Sequence, residues 1–303
     1  MLHAALPRET LYLPFEAGPH RMQLGLVALP RDELIEIDDR YPAEMAERRD
    51  LLGRRHADVF ATVAGSDAAR QEALHCIADL LPMRFPGWFS RDGDCLHNHL
   101  TAETWNLADP PCDPLELAGR LVQEDLCLLG LATGAPVLAA AILCAPSRWR
   151  LAEKIGRPLA DVHQPVPLYA EKLSAPVDRF MRHLRAGKLT QRLNWSVTDD
   201  PALFQIAGKH RTERDPSITP DNVATRLFLR VERQTLSRLP ESGFMLFTIR
   251  VHSYPIARAV TDPATGHRLA EAIKALPPSM AAYKSVPTYR DALLEWLDRY
   301  ACP

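Results

Sequence analysis

Glycine is scarce in this chain, with 14 residues among 303 against 26 prolines. There is no G-x-G-x-x-G fingerprint and no P-loop, so the usual glycine-built cradles for a dinucleotide or a nucleotide phosphate are missing. The six cysteines form no C-x-x-C pair, and their spacings match no zinc or iron–sulfur pattern. They are simplest as reduced thiols. Lys and Arg number 36 against 38 Asp and Glu, a net charge of -2, which lacks the basic surplus a nucleic-acid partner requires. No apolar run reaches the ~18–20 residues that span a bilayer. The N-terminus, MLHAALPRETLYLPFEAG, has no basic region followed by an apolar one, so it does not read as a secretory signal. These absences predict a cytoplasmic protein with no membrane or nucleic-acid partner. They also leave it without a flavin, nucleotide or iron–sulfur site of its own. Its length suits one large domain or two closely packed ones, and its proline surplus a rigid body.

The N-terminal segment to Asp39 looks irregular and β-rich. Pro42 is expected to open a helix to about Val63, and Ser66 with Asp67 can cap a second one carrying Leu74, Ile77, Leu80 and Leu81. Pro82–Pro111 reads as loop. Its His97 and His99 stand near Cys95, but no carboxylate or second cysteine at helical spacing completes a metal set. After a short helix from Asp113 or Pro114 come two continuously apolar runs, Leu126–Ala132 and Val137–Ala145, around Thr133-Gly134-Ala135-Pro136. This predicts a hairpin covered on both faces. Proline-interrupted helical turns follow, with Ser147 and Ser174 as candidate caps. Val177, Phe180, Met181 and Leu184 then form a helical stripe that Gly187 ends. A strand over Arg192–Val197 comes next.

Arg226–Val251 reads as two strands around a Leu-Pro-Glu-Ser-Gly turn. Period-two counting puts Phe228, Arg230, Glu232 and Gln234 on one face of the first strand, and Leu229, Val231, Arg233 and Thr235 on the other. In the second strand Leu246, Thr248, Arg250 and His252 oppose Phe247, Ile249 and Val251. Charged groups within aliphatic strand sequence are either an ion-paired solvent face or buried charge kept for a ligand, at a desolvation cost of several kcal/mol each. A single bulge would exchange Arg230 for Arg233. Amphipathic helices close the chain, with Ala270, Ile273 and Leu276, then Leu293, Leu294 and Leu297 as their stripes. The order of elements predicts an α+β fold. Its sheet is five-stranded and antiparallel, with helices inserted between strands two and three, and helical extensions cover about 1–122 and 260–303.

Three long stretches carry a family resemblance: WRLAEKIGRPLADVHQPVPLYAEKL, LNWSVTDDPALF and RLFLRVERQTLSRLPESGFMLFTIRV. Together they resemble the haem-dependent oxidative N-demethylase family, in particular its haem-binding α subunit. The likeness reaches the MQLGLVAL and QEDLCLL segments, covering about residues 10 to 256. It implies a single PAS-like haem-binding domain that uses haem b and O₂ to oxidise a secondary amine such as dimethylamine, releasing formaldehyde. It also implies that FMN, 2Fe–2S, NADPH and tetrahydrofolate functions reside on partner subunits, which supply the electrons.

Within that resemblance, His163 in DVHQPVP is the expected axial ligand of the haem iron, held by the fixed φ of Pro165 and Pro167. His183 and His210 are alternatives. Glu232 is expected to hold the protonated amine, and Arg230 to stabilise negative charge developing on oxygen. Arg250 is a third catalytic candidate or a propionate partner. Arg233, Arg226 and Lys172 are further propionate partners, with exposed salt bridging equally compatible. Trp195 and Phe247 line the pocket or the core. The PAS scaffold also serves non-catalytic sensors of gases or small ligands, and a haem-free relative would keep the same fold. No signalling output segment or long coiled-coil pattern is visible, which favours the enzyme.

Overall fold

The computed structural model describes residues 5–131 and 134–301. Cys302 and the Ala132–Thr133 part of the expected hairpin turn lie outside them.

An edge strand β1 (Val27–Leu29) opens the ordered elements, followed by helix α1 (Tyr41–Arg54) with Pro42 in its first turn, where a missing N–H costs nothing. The helix expected to reach Val63 stops early. Arg55 leaves helical geometry at φ -135°, a single turn α2 (His56–Val59) follows, and Phe60–Thr62 become strand β2. Aromatic and β-branched side chains favour the pleat there. Helix α3 (Asp67–Arg84) runs through Pro82. Ser66 does not cap it by its side chain but donates to the Val63 carbonyl.

Pro82–Pro111 is not the expected loop. It folds into a small antiparallel sheet of β3 (Phe89–Asp92), β4 (Cys95–Asn98) and β5 (Glu103–Asn106). Its strands are four residues each and polar on one side, too short for a clear alternation. Helix α4 (Pro114–Gly119) is capped by Asp113, whose side chain accepts from the Leu115 N–H. The hairpin β6 (Asp125–Gly130) and β7 (Val137–Ile142) is buried on both faces.

Short helices α5 (Leu159–Val162) and α6 (Tyr169–Lys172) lead to α7 (Ser174–His183). Ser174 is its first residue rather than a side-chain cap. Gly187, at φ +82°, makes the turn into β8 (Leu189–Thr198). A turn of helix, α8 (Val223–Arg226), precedes β9 (Phe228–Arg238) and β10 (Met245–Pro255). The chain ends in α9 (Ile256–Ala259), α10 (Pro263–Lys274), α11 (Pro278–Tyr283) and α12 (Arg290–Ala301).

The main sheet has seven strands, not five, in the order β1-β8-β9-β10-β6-β7-β2. The five expected strands form its centre, antiparallel throughout, and the three-residue strands β1 and β2 add one edge each. No helix among the described residues is long and apolar enough to cross a membrane.

The two faces of the sheet differ. One carries two cores: α1, α3 and α4 pack over Leu126, Leu128, Ala140 and Leu246, and the C-terminal helices pack over Val197, Leu229 and Val231. Between these cores lies a buried charge network. Arg250 bonds Asp38 at 2.7 Å and Glu44 at 2.8 Å, Arg233 meets Glu36 at 3.2 Å, and His252 meets Glu9 at 3.2 Å. The other face carries Cys127, Leu129, Leu138, Leu236 and Met245 under α7 and the segment before it.

A cavity between the sheet and the proline-rich helices

The second face does not close completely. A cavity of about 510 Å³ remains between β6–β10, the 159–173 segment, residues 20–25 and residues 280–285 at the end of α11. That volume is in the range of small-molecule and cofactor sites. Its walls are apolar where Leu129, Leu138, Leu143, Val162, Val166 and Phe247 meet.

His163 enters this cavity just past the last turn of α5. Its Nδ1 stands 2.9 Å from the Leu159 carbonyl, which can only accept, so Nδ1 carries the proton. Nε2 therefore keeps a lone pair, and it has no hydrogen-bond partner among the described residues. Burial pushes the imidazole down to a pKa of about 4, so it is neutral at physiological pH. A neutral imidazole fixed by a backbone carbonyl is the form that ligates metals. Its ring stacks on Tyr169. Cys127 also lines the cavity, but burial raises its thiol well above the usual range and it stays protonated. His183 and His210 are exposed and lie outside the cavity.

The sheet supplies the charged floor. Arg230, Glu232 and Gln234 face the cavity together, as alternation predicts, and β9 pairs with both neighbours without a bulge, so Arg230 and Arg233 do not exchange. Glu232 accepts from Ser147 Oγ at 2.5 Å, Gln234 Nε2 at 2.8 Å and Asn194 Nδ2 at 3.2 Å. Burial raises its carboxyl, but these bonds and the Arg230 charge outweigh it and hold the pKa below the usual value. Three of its roughly four acceptor positions are taken, leaving one for a ligand N–H. Arg230 is nearly saturated: it donates to Ser147 Oγ and to the carbonyls of Ala145, Ala202 and Leu203. It acts on the cavity through Ser147 and its charge.

Arg233 and Arg250 lie on the opposite face, within the network under the N-terminal segment. Arg226 is exposed on α8 and Lys172 is exposed on α6, both outside the cavity lining. Trp195 is among the lining residues, where its carbonyl meets Lys284, but register sets it beside Val231 on the opposite face and its ring stands edge-on to Phe15 in that core at 5.6 Å.

The cavity also holds groups that alternation and motif reading missed. Arg192 stands on β8 with Nε buried and unpartnered among the described residues. Lys284 donates to the Trp195 carbonyl with its ammonium 5.2 Å from that indole, and Lys209 meets the Tyr283 hydroxyl at 3.1 Å. Burial lowers both lysines to a pKa of about 8. His20 adds a buried Nε2 without a partner among the described residues. Period two, run through Arg192, Asn194 and Ser196, is the one signal that could have found Arg192; the lysines sit in irregular segments with none. The resulting arrangement is an apolar slot with one neutral imidazole lone pair, one carboxylate and a surplus of cations. It suits a largely apolar ligand that carries a Lewis-acid centre and carboxylates.

A family model described as haem-dependent oxidative N-demethylase, alpha subunit-like, matches residues 25–294. The chain belongs to that family. As a member of the N-demethylase α-subunit-like family it is a haem-dependent oxidative protein at the family level, and the description as a subunit implies partners. Haem meets the cavity's requirements on three independent points: an apolar face, an iron that needs a neutral nitrogen, and carboxylates for which Arg192 offers an unsatisfied donor.

Proposed function

We propose that this chain carries haem b in the cavity and takes part in the oxidative N-demethylation of a small secondary amine, dimethylamine-like, with release of formaldehyde. The observation that carries the reading is the free Nε2 of a neutral His163 beside the apolar walls of a cavity in which the buried Nε of Arg192 has no partner among the described residues.

His163 Nε2 would ligate the haem iron, and Arg192, Lys209 and Lys284 would meet the haem carboxylates. Bound haem supplies the redox chemistry that activates O₂. Glu232 is ionised and holds the substrate ammonium through its remaining acceptor position. Ser147 and Asn194 fix the carboxylate, and Arg230 fixes Ser147. The Arg230 charge, close by in a low-dielectric site, favours negative charge developing on oxygen. The apolar walls exclude bulk water. Arg250, Arg233 and Arg226 have no part in this reading, since their side chains do not reach the cavity.

The chain has no sequence signature for a flavin or an iron–sulfur cluster, so electrons come from partner subunits bearing FMN, 2Fe–2S and NADPH functions. Tetrahydrofolate would also be bound elsewhere in the assembly. A cytoplasmic location belongs to the same reading. A PAS-like core does too: its five strands run β8-β9-β10-β6-β7, with the helices inserted after β7.

The test is an absorption spectrum of the haem-reconstituted protein, ferric and dithionite-reduced, titrated with dimethylamine. A stoichiometric Soret band, lost in His163→Ala and shifted by the amine in the parent but not in Glu232→Gln, is the expected result. A band responsive to O₂ or CO and indifferent to amines would replace the enzyme with a sensor. Failure to take up haem would overturn the proposal.

A further inference from the structure

The outer wall of the cavity carries a surface with a different character from the rest of the chain. Leu24, Pro176, Arg179, Phe180 and His183 line a shallow, almost wholly apolar groove between α7 and the segment that leads into β1. Leu24 also lines the cavity, so one side chain belongs to both spaces. Beside the groove, β1 is an edge strand of the main sheet and Val27 on it is 55% exposed. An exposed apolar edge of this kind invites a covering partner.

The charge around the groove is one-sided. Arg179, Arg182, Arg185 and Lys188 are exposed on α7 and the turn into β8, with His183 among them. Within residues 176–188 only Asp178 is acidic, and 20–29 add Arg21 and no acid. In a chain with a net charge of -2, such a concentration of cations is a directed field. The groove and edge strand provide the apolar centre of an interface, and the arginines provide its rim.

The proposed reaction fixes what must dock. Converting R₂N–CH₃ and O₂ to R₂NH, formaldehyde and water takes up two electrons and two protons. One oxygen atom leaves in formaldehyde and the other in water. Neither electron has a source in this chain.

We propose that the Leu24–Phe180 groove with its basic rim is the docking surface for an acidic electron-donor protein carrying a flavin or iron–sulfur centre. The donor is held one side chain away from the haem cavity. This rests on the haem reading above for the purpose of the surface, but not for its existence.

The probe is flavodoxin, an acidic flavin protein, and the variant is Arg182→Glu/Arg185→Glu/Lys188→Glu, which touches neither cavity nor core. Fluorescence anisotropy with the haem-free chain measures docking alone. Stopped-flow reduction of the haem-loaded chain by reduced flavodoxin, followed at the Soret band, measures transfer. Affinity and rate should each fall about tenfold in the variant, and the wild-type rate should fall steeply as salt rises from low to physiological strength, as for steered encounters. Reduction by dithionite should be unchanged. Binding and reduction that ignore both salt and the charge reversals would overturn the proposal. So would a groove occupied by a second copy of this chain at micromolar concentration in sedimentation. Docking without a Soret band would retain the surface and remove the haem reading.

Discussion

The imidazole of His163 lies parallel to the ring of Tyr169, with centroids 4.5 Å apart and planes within 10°. With Nδ1 bonded to the Leu159 carbonyl, the ring is fixed in tilt by one contact and in tautomer by the other. Partners of this kind typically change ligand affinity 10–100-fold. Tyr169→Phe should keep haem affinity, and Tyr169→Ala should lower it at least about tenfold, read by haem titration at a temperature where both variants are folded. The free chain should also show its His163 proton resonance titrating near pH 4 rather than 6.5. Because the folded pKa is depressed, the stability that His163 contributes is complete above 6.5 and is lost as pH falls through 4.

Lys284 is held against the Trp195 indole and lowered to a pKa of about 8 by burial, then by Arg192. A carboxylate placed there would restore its charge. Wild-type protein should therefore bind haem more tightly than haem dimethyl ester, and Lys284→Met should shrink that preference by roughly tenfold, the scale of one charge-assisted hydrogen bond. Equal affinity of the wild type for both would remove the lysine from the carboxylate site.

Arg250 sits directly across from Arg233 in the β9–β10 register, a like-charge pair that Asp38, Glu44 and Glu36 neutralise. Arg250→Met would strand two buried carboxylates, at a cost of about 3–5 kcal/mol. Urea denaturation should show that loss, while the Soret band and its response to amine stay as in the parent.

The same pair shows how much of the site was legible. Alternation sorted each strand into two faces, and it correctly grouped Arg230 with Glu232. It could not say which face of β10 continues which face of β9, because that depends on register. Register sets Arg250 beside Arg233 and Ser253 beside Arg230. The central strands were readable because they run six to eleven residues. The edge strands β1 and β2, at three residues, give no period to count. His163, singled out by the family resemblance of DVHQPVP, does lie in the cavity lining. Lys209 and Lys284 were not readable, since they reach the cavity from irregular segments about 75 residues apart, joined only by tertiary packing.

Glu124 is buried next to β6 and accepts the Glu36 N–H at 2.8 Å. Burial pushes its carboxyl up to about 7, against the opposing charges of Arg250 and Arg233. A raised folded pKa favours the folded state below the unfolded value near 4.5, and that contribution is lost as pH rises through 7. Glu124→Gln keeps the acceptor and removes the ionisation. Its stability relative to wild type should rise between pH 5 and 8 by on the order of 2–3 kcal/mol in urea midpoints. A flat difference over that range would mean that Glu124 is already ionised at pH 5.

Ser147 joins the two cavity charges: its hydroxyl donates to Glu232 at 2.5 Å and accepts from Arg230 Nε at 3.0 Å. Among the effects that hold the Glu232 carboxyl low, that bond is the largest, ahead of the Arg230 charge. Ser147→Ala removes it, and the carboxyl must then protonate at a higher pH. If an ionised Glu232 holds the amine, the acid limb of amine binding should move to higher pH. The amine-induced Soret shift, measured from pH 4 to 8 in both proteins, reads this directly. A general loss of structure would weaken amine binding equally at every pH. Loss of the hydroxyl alone should leave binding at pH 8 close to wild type and confine the difference to the acid side. An unchanged acid limb would mean that amine binding does not depend on the protonation of Glu232.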